Sequence, residues 1–151
     1  MTWETRTQVF FVHIVFRTKA NTPWIDSNIR PRLYRYIGGI IKNERQKLLA
    51  AGGTHDHIHL LVSLRTDKAL ANFVRVVKAN SSKWLHETYT SLKNEGWQSG
   101  YGAFTVSYSN VEAVKKYIET QEEHHQKISF VDELKLFLKK HQIPFDDRFL
   151  R

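Results

Sequence analysis

The stretch Thr54-His55-Asp56-His57-Ile58-His59-Leu60-Leu61-Val62-Ser63-Leu64 decides how the rest of the chain is laid out. Ile58, Leu60, Val62 and Leu64 fall on every second position, the period of a strand with one buried face. His57 and His59 then share the opposite face, with Cα atoms roughly 6.5–7 Å apart. Imidazoles at that spacing can lean onto one cation, although two ligands close no common coordination shell. Histidines at alternate strand positions are more often surface or satisfied core residues. The pair is therefore half a metal site, and the other half has to come from elsewhere. His55 shares the face and is read as a third ligand, an outer group or a DNA-facing group.

Working outward, residues 8–17 form a first strand rich in β-branched and aromatic side chains. Residues 28–46 follow as a helix, with Ile29, Leu33, Ile37, Ile40 and Ile41 at helical spacing. Residues 47–54 read as a second strand leading through Gly52-Gly53 into the histidine strand. Asp67 starts a helix over about 68–89, with Leu70, Phe73, Val74, Val77, Trp84 and Leu85 as its buried stripe. A fourth strand lies near 103–108, a third helix over about 111–125, and a last helix over about 130–141. Phe145, Phe149 and Leu150 in the tail suit packing on the domain or on a partner. The order β-α-β-β-α-β followed by two helices gives an α+β class: a ferredoxin-like or RRM-like antiparallel sheet with helices on one face plus C-terminal helices. Residues 1–151 read as a single domain.

The 151 residues carry a net charge of +8, which suits a binder of polyanions, nucleic acid first. With no cysteine, disulfides and thiolate zinc sites are excluded. No signal-like opening and no apolar run of about 20 residues is found, so a soluble, cytoplasmic protein without membrane attachment is expected.

The third helix supplies candidates for the missing half. Tyr117 and Gln121 are one turn apart beside the apolar stripe Val111, Val114 and Ile118, so both can meet one small object; His124 continues their stripe. Taken singly, such a tyrosine is usually packing and such a glutamine usually solvated. Arg75, Lys78, Ser82 and His86 recur along one side of the second helix, a pattern that alone describes a solvated face.

Together these pieces resemble the single-tyrosine HUH transposases of the insertion-sequence-200/605 group. His57-Ile58-His59 matches the histidine–hydrophobe–histidine motif, and Tyr117 with Gln121 matches the nucleophile motif. The likeness extends to Phe16-Arg17-Thr18-Lys19, to residues 78–85 and 97–102, and to residues 121–125 and 137–141. It implies a metal-dependent DNA transposase that cleaves and rejoins single-stranded DNA at hairpin ends of an insertion sequence. Tyr117 would be the nucleophile, forming a 5′-phosphotyrosine. His57, His59 and Gln121 would hold a divalent cation, Mg²⁺ by expectation, with Mn²⁺ or Co²⁺ able to replace it. His55, Asp56 and His124 would orient ligands from behind. Arg17, Lys19, Arg75, Lys78, Ser82 and Lys83 would bind DNA phosphates. A homodimer is also implied, the tyrosine helix of one subunit completing the site of the other.

Four other readings compete. A non-catalytic RRM-like binder would need exposed aromatics on the central strands, where this chain has histidines. A domesticated, repeat-binding relative would keep the motifs without mobility. A water-using zinc hydrolase would gather His55, His57, His59 and His124. A relaxase or replication-initiation enzyme is disfavoured by the short chain.

Overall fold

The β-branched and aromatic stretches pair as strands, and the stretches with apolar residues three and four apart coil over them. In a computed structural model describing residues 9–65, 68–124 and 128–144, the strands are β1 (Phe10–Arg17), β2 (Lys47–Gly53), β3 (His57–Leu64) and β4 (Gly102–Val106). The helices are α1 (Ile29–Asn43), α2 (Leu70–Thr88), α3 (Val111–Glu119), α4 (Gln121–His124) and α5 (Phe130–Lys140). The sheet order is β2-β3-β1-β4 with every neighbour antiparallel, the arrangement expected of split β-α-β units. Asp67 and the tail residues Phe145, Phe149 and Leu150 lie outside the described residues. Among the described residues no helix is long and apolar enough to cross a membrane.

One face of the sheet carries the main core. Val12, Ile14 and Phe16 of β1 and Ile58, Leu60, Val62 and Leu64 of β3 meet Leu33, Ile37 and Ile41 of α1 and Phe73, Val74, Val77 and Leu85 of α2. Burying such side chains stabilises by about 1.5–3 kcal/mol each, which fixes the register of β3. The opposite face is covered as well, by the C-terminal helices. Ala50, Leu61 and Ile118 are buried there against Val111, Val114 and Tyr117. The expectation of a strand with one buried face therefore needs correcting: every residue of β3 except Ser63 is buried. His57 and His59 sit under a second layer, not in solvent.

The third helix also departs from expectation. The run expected over about 111–125 is interrupted at Thr120 (φ −110°, ψ 27°), which separates α3 from α4. The Lys116 carbonyl accepts from both Thr120 N (3.1 Å) and the Thr120 hydroxyl (2.9 Å), a back-bond of the kind that bends helices.

α3 lies flush on β2 because Gly52 has no side chain. A β-carbon at residue 52 would overlap the Ile118 carbonyl oxygen, a backbone atom that cannot step aside alone. Gly52→Ala is expected to destabilise the protein by about 1–3 kcal/mol, as overpacking does. At Gly39 in α1 a β-carbon meets nothing within 4 Å, so Gly39→Ala should stabilise by about 0.5–1 kcal/mol. Urea denaturation midpoints of the two variants check both signs, and equal midpoints would remove the close approach as a constraint.

Candidate metal and nucleophile site

His57 and His59 leave β3 on the α3 side of the sheet, where neither ring is exposed to solvent. The residues just before the strand set the first ring. Asp56 Oδ1 lies 2.8 Å from His57 Nδ1, and Thr54 Oγ1 is 3.1 Å from the same nitrogen. Thr54 also donates to Asp56 Oδ1 at 3.1 Å, and Thr18 N to the Asp56 carbonyl at 2.8 Å. Burial works to raise the Asp56 carboxyl, but the hydrogen bond and charge interaction with His57, with help from Thr54 and His55, outweigh it and hold it below its ordinary value. An ionised Asp56 fixes the proton on Nδ1 and turns the electron pair of Nε2 inward.

That Nε2 faces Gln121 Oε1 at 3.3 Å, across 64 residues of sequence. Gln121 is buried, and its amide nitrogen donates to the Tyr117 carbonyl at 3.5 Å. Tyr117 is half-buried in the last turn of α3, its ring centroid 6.0 Å from that of His59. The two histidines, the tyrosine and the glutamine are thus gathered within one chain.

Two further residues, which the sequence reading did not single out, complete the cluster. Glu133 projects from the first turn of α5, a helix capped by Ser129, whose hydroxyl accepts from Asp132 N at 3.2 Å. Its buried carboxylate meets His59 Nε2 with Oε1 at 2.9 Å and accepts the Tyr117 hydroxyl and the Gln121 amide (3.2 Å) with Oε2. A glutamate in a first helical turn reads as compensation of the helix dipole, so its sequence position gave no warning. His13 of β1 lies diagonally across from His59, since β1 and β3 pair His13 with Leu61 and Val15 with His59. Its Nε2 is 2.7 Å from His59 Nδ1. Laying β1 against β3 in register is the signal that would have found it.

Donor atoms of His57, His59 and Glu133 all lie within 4.8 Å of one another, close enough to share a metal ion. Imidazole nitrogens with amide and carboxylate oxygens suit Mn²⁺, Mg²⁺ or another divalent ion of intermediate hardness. His55 does not join them. Its side chain is 62% exposed, with Nε2 3.9 Å from Asp56 Oδ2, so the third-ligand option for it is withdrawn. Its position in the bend before β3 turns it away from the buried face. The His124 side chain lies outside the described residues.

Burial first, then the hydrogen bond and the negative charge of Glu133, push the Tyr117 phenol above its ordinary value. Burial, and next the neighbouring His59, pull the His13 imidazole down to about 3.

The basic residues divide. Arg75, Lys78 and Ser82 of α2 line one groove of about 420 Å³ with Trp97 and Tyr101. Lys78 also donates to the carbonyls of Gln98 (2.7 Å) and Gly100 (2.8 Å), so its ammonium braces the loop before β4. Arg17 lines an adjoining cavity of about 500 Å³, its guanidinium 5.5 Å from the Phe130 ring centre. Lys19 and Lys83 are exposed and lie outside both linings.

Residues 7–121 match the family model described as "Transposase IS200 like". The chain is 29% identical over 118 residues to the transposase for insertion sequence element IS200 of Salmonella typhimurium, covering 72% of this chain and 74% of that one. It is 34% identical over 71 residues, 44% of its length, to the ISDra2 transposase TnpA of Deinococcus radiodurans, and spans 51% of that relative. A 1.90 Å crystal structure from Deinococcus radiodurans, provisionally described as a transposase, shares the fold with TM-score 0.66 and 21% identity, covering 80% of this chain and 97% of that one. A tyrosine transposase associated with REP elements and bound to a REP hairpin superposes with TM-score 0.60 and 14% identity, covering 84% and 76%.

The electrostatics of His13 give a test of the buried network. An imidazole near 3 when folded stays neutral while the same group in the unfolded chain takes up a proton below about 6.5. The stability it contributes is therefore complete above pH 6.5 and is lost as pH falls from there toward 3, with a limiting slope of about 1.4 kcal/mol per pH unit. His13→Gln should flatten the stability–pH curve in that window, as read from denaturation midpoints at successive pH values. An unchanged slope would show that His13 is not held neutral.

Proposed function

Because this chain belongs to the IS200-like transposase family, we propose that it cleaves and rejoins single-stranded DNA by metal-dependent transesterification, with Tyr117 as the nucleophile. One observation carries the reading: the phenol of Tyr117 and the imidazole of His59 bind the two oxygens of a single carboxylate, Glu133. A tyrosine so close to a histidine pair is where strand cleavage needs it.

Tyr117 oxygen would attack the scissile phosphorus in line. The bond from phosphorus to the 3′ oxygen breaks, leaving a 5′-phosphotyrosine and a free 3′-OH. Attack by a 3′-OH on that phosphotyrosine re-forms the DNA bond and releases Tyr117, so the bond energy is conserved and no ATP is needed. The phenol must lose its proton on the way, and in the arrangement described it already donates that proton to Glu133 Oε2. His57, His59 and Gln121 would hold the divalent ion, with Asp56 and His13 orienting the two imidazoles. When bound, such an ion supplies Lewis-acid polarisation of the phosphate and stabilises the leaving oxygen.

Access fits this role. A cavity of about 310 Å³ between α3 and α5 reaches Tyr117, with Lys140 at its margin to receive a phosphate. The groove formed by Arg75, Lys78 and Ser82 beside Trp97 and Tyr101 would take the hairpin, cations to phosphate and aromatics to unpaired bases. Arg17, Lys19 and Lys83 would extend the basic surface toward it. The REP-hairpin complex of the fold relative supports such a substrate. The active assembly would be a cytoplasmic homodimer. Exchange of the tyrosine helix between copies would present Tyr117 to the histidines of a second chain.

Tyr117→Phe should still bind a hairpin oligonucleotide yet form no covalent adduct on denaturing gels with Mn²⁺; a persisting adduct removes Tyr117 from the role. His57→Ala should reduce cleavage to background without loss of fold, and undiminished cleavage refutes the metal assignment. Hairpin affinity should fall with salt on a log–log slope of about −0.7 to −0.9 per phosphate contact, and Arg75→Ala should shallow that slope by about one contact. A flat dependence in the parent chain would exclude DNA as the partner.

A further inference from the structure

We infer that Glu133, reaching in from α5, is a fourth ligand of the cation and makes the C-terminal helix part of the active centre, an assignment that rests on the metal-dependent reading above. Three groups with their outward atoms already engaged turn a ring nitrogen or an amide oxygen into the cluster. His57 holds its Nδ1 against Asp56, at 2.8 Å, and turns Nε2 inward. His59 sets Nδ1 against His13 Nε2, at 2.7 Å, and turns Nε2 inward as well. The Gln121 nitrogen is taken by Glu133 Oε2 and the Tyr117 carbonyl, which leaves its Oε1 facing His57. Glu133 Oε1 stands beside the two imidazoles, donor atoms of the three residues lying within 4.8 Å of one another.

The spacing suits a coordination shell. Glu133 Oε1 lies 2.9 Å from His59 Nε2 and 3.8 Å from His57 Nε2, and Gln121 Oε1 lies 3.3 Å from His57 Nε2. With bonds of about 2.1 Å, adjacent ligands stand about 3.0 Å apart in an octahedron and about 3.4 Å apart in a tetrahedron. Shifts of a few tenths of an ångström would admit the ion. Charge argues the same way. Two neutral imidazoles and an amide would leave a divalent ion without a counter-charge among buried side chains, where isolated charge is costly. Glu133 is 1% exposed and supplies that charge. Its other oxygen receives the Tyr117 hydroxyl, so one carboxylate would bridge ion and nucleophile and position the phenol.

The competing possibility is that Glu133 only fills the ion's place in the empty protein and leaves on loading. Mn²⁺ titration of the full chain without DNA, followed by the electron paramagnetic resonance signal of free ion, separates the two. The parent chain should bind one ion. Glu133→Gln, which keeps the size but removes the charge and one acceptor oxygen, should raise the dissociation constant by about tenfold or more, measured on variant protein shown by circular dichroism to be folded without the ion. Equal or tighter binding by Glu133→Gln overturns the assignment and leaves the histidine site standing. Failure of the folded parent chain to bind Mn²⁺ sinks the metal reading itself. Should the variant not fold, hydrogen exchange of the parent chain decides. Added protection of the α5 amides on Mn²⁺ loading supports ligation, and lost protection means that the carboxylate is expelled.

Discussion

A backbone carbonyl, that of Ile118, lies where a side chain at residue 52 would begin, and the placement of the whole site depends on that contact. Gly52 stands opposite His59 in the β2–β3 register. The last turn of α3 therefore comes down on the sheet beside the histidine strand, and Tyr117, one residue before Ile118, is carried to within 6.0 Å of the His59 ring, centre to centre. An alanine at position 52 would lift the helix and with it Tyr117. The glycine acts on the cluster through distance alone, since it offers no functional group.

Once α3 and α5 are seated, the site is a polar cluster in a place that would otherwise be core. His13, His57, His59, Gln121 and Glu133 are all buried. Unsatisfied polar groups of this kind cost about 1–3 kcal/mol each, so they persist only when partnered. Hydrogen bonds join Asp56 to His57, and Gln121, Tyr117 and His59 to Glu133, with His13 behind His59, while Gln121 Oε1 lies against the inner nitrogen of His57. Such a network holds ring orientations that loose side chains would not keep. It also violates the expectation of an apolar interior, and functional sites are where such violations are found.

Much of the frame was legible because periodicity speaks directly to burial. The α1 stripe Ile29, Leu33, Ile37, Ile40 and Ile41 is the buried set of that helix, and Phe73, Val74, Val77 and Leu85 of α2 enter the same core. His57, His59, Tyr117 and Gln121 were legible as motifs and do come together. What escaped depends on tertiary register. His13 is one histidine among apolar neighbours until β1 is aligned with β3, and Glu133 is an ordinary first-turn acid until α5 is docked. The double burial of β3 escaped because alternation reports one face, while the second cover comes from helices far along the chain. His55 seemed eligible by parity, but the strand starts only at His57, so the parity does not reach it.

The donors also differ in how firmly the fold holds them. β3 is an interior strand with partners on both sides and helices over both faces, so its backbone opens only when the whole sheet does. α5 follows the last strand and meets the sheet through side chains, Glu133 against His59 and Phe137 against Phe104. If α5 detaches on heating before the sheet opens, Glu133 departs while the two imidazoles keep their places. On the ligation inferred above, ion release would then precede melting of the sheet, leaving a warm state that is folded and histidine-intact but without its carboxylate.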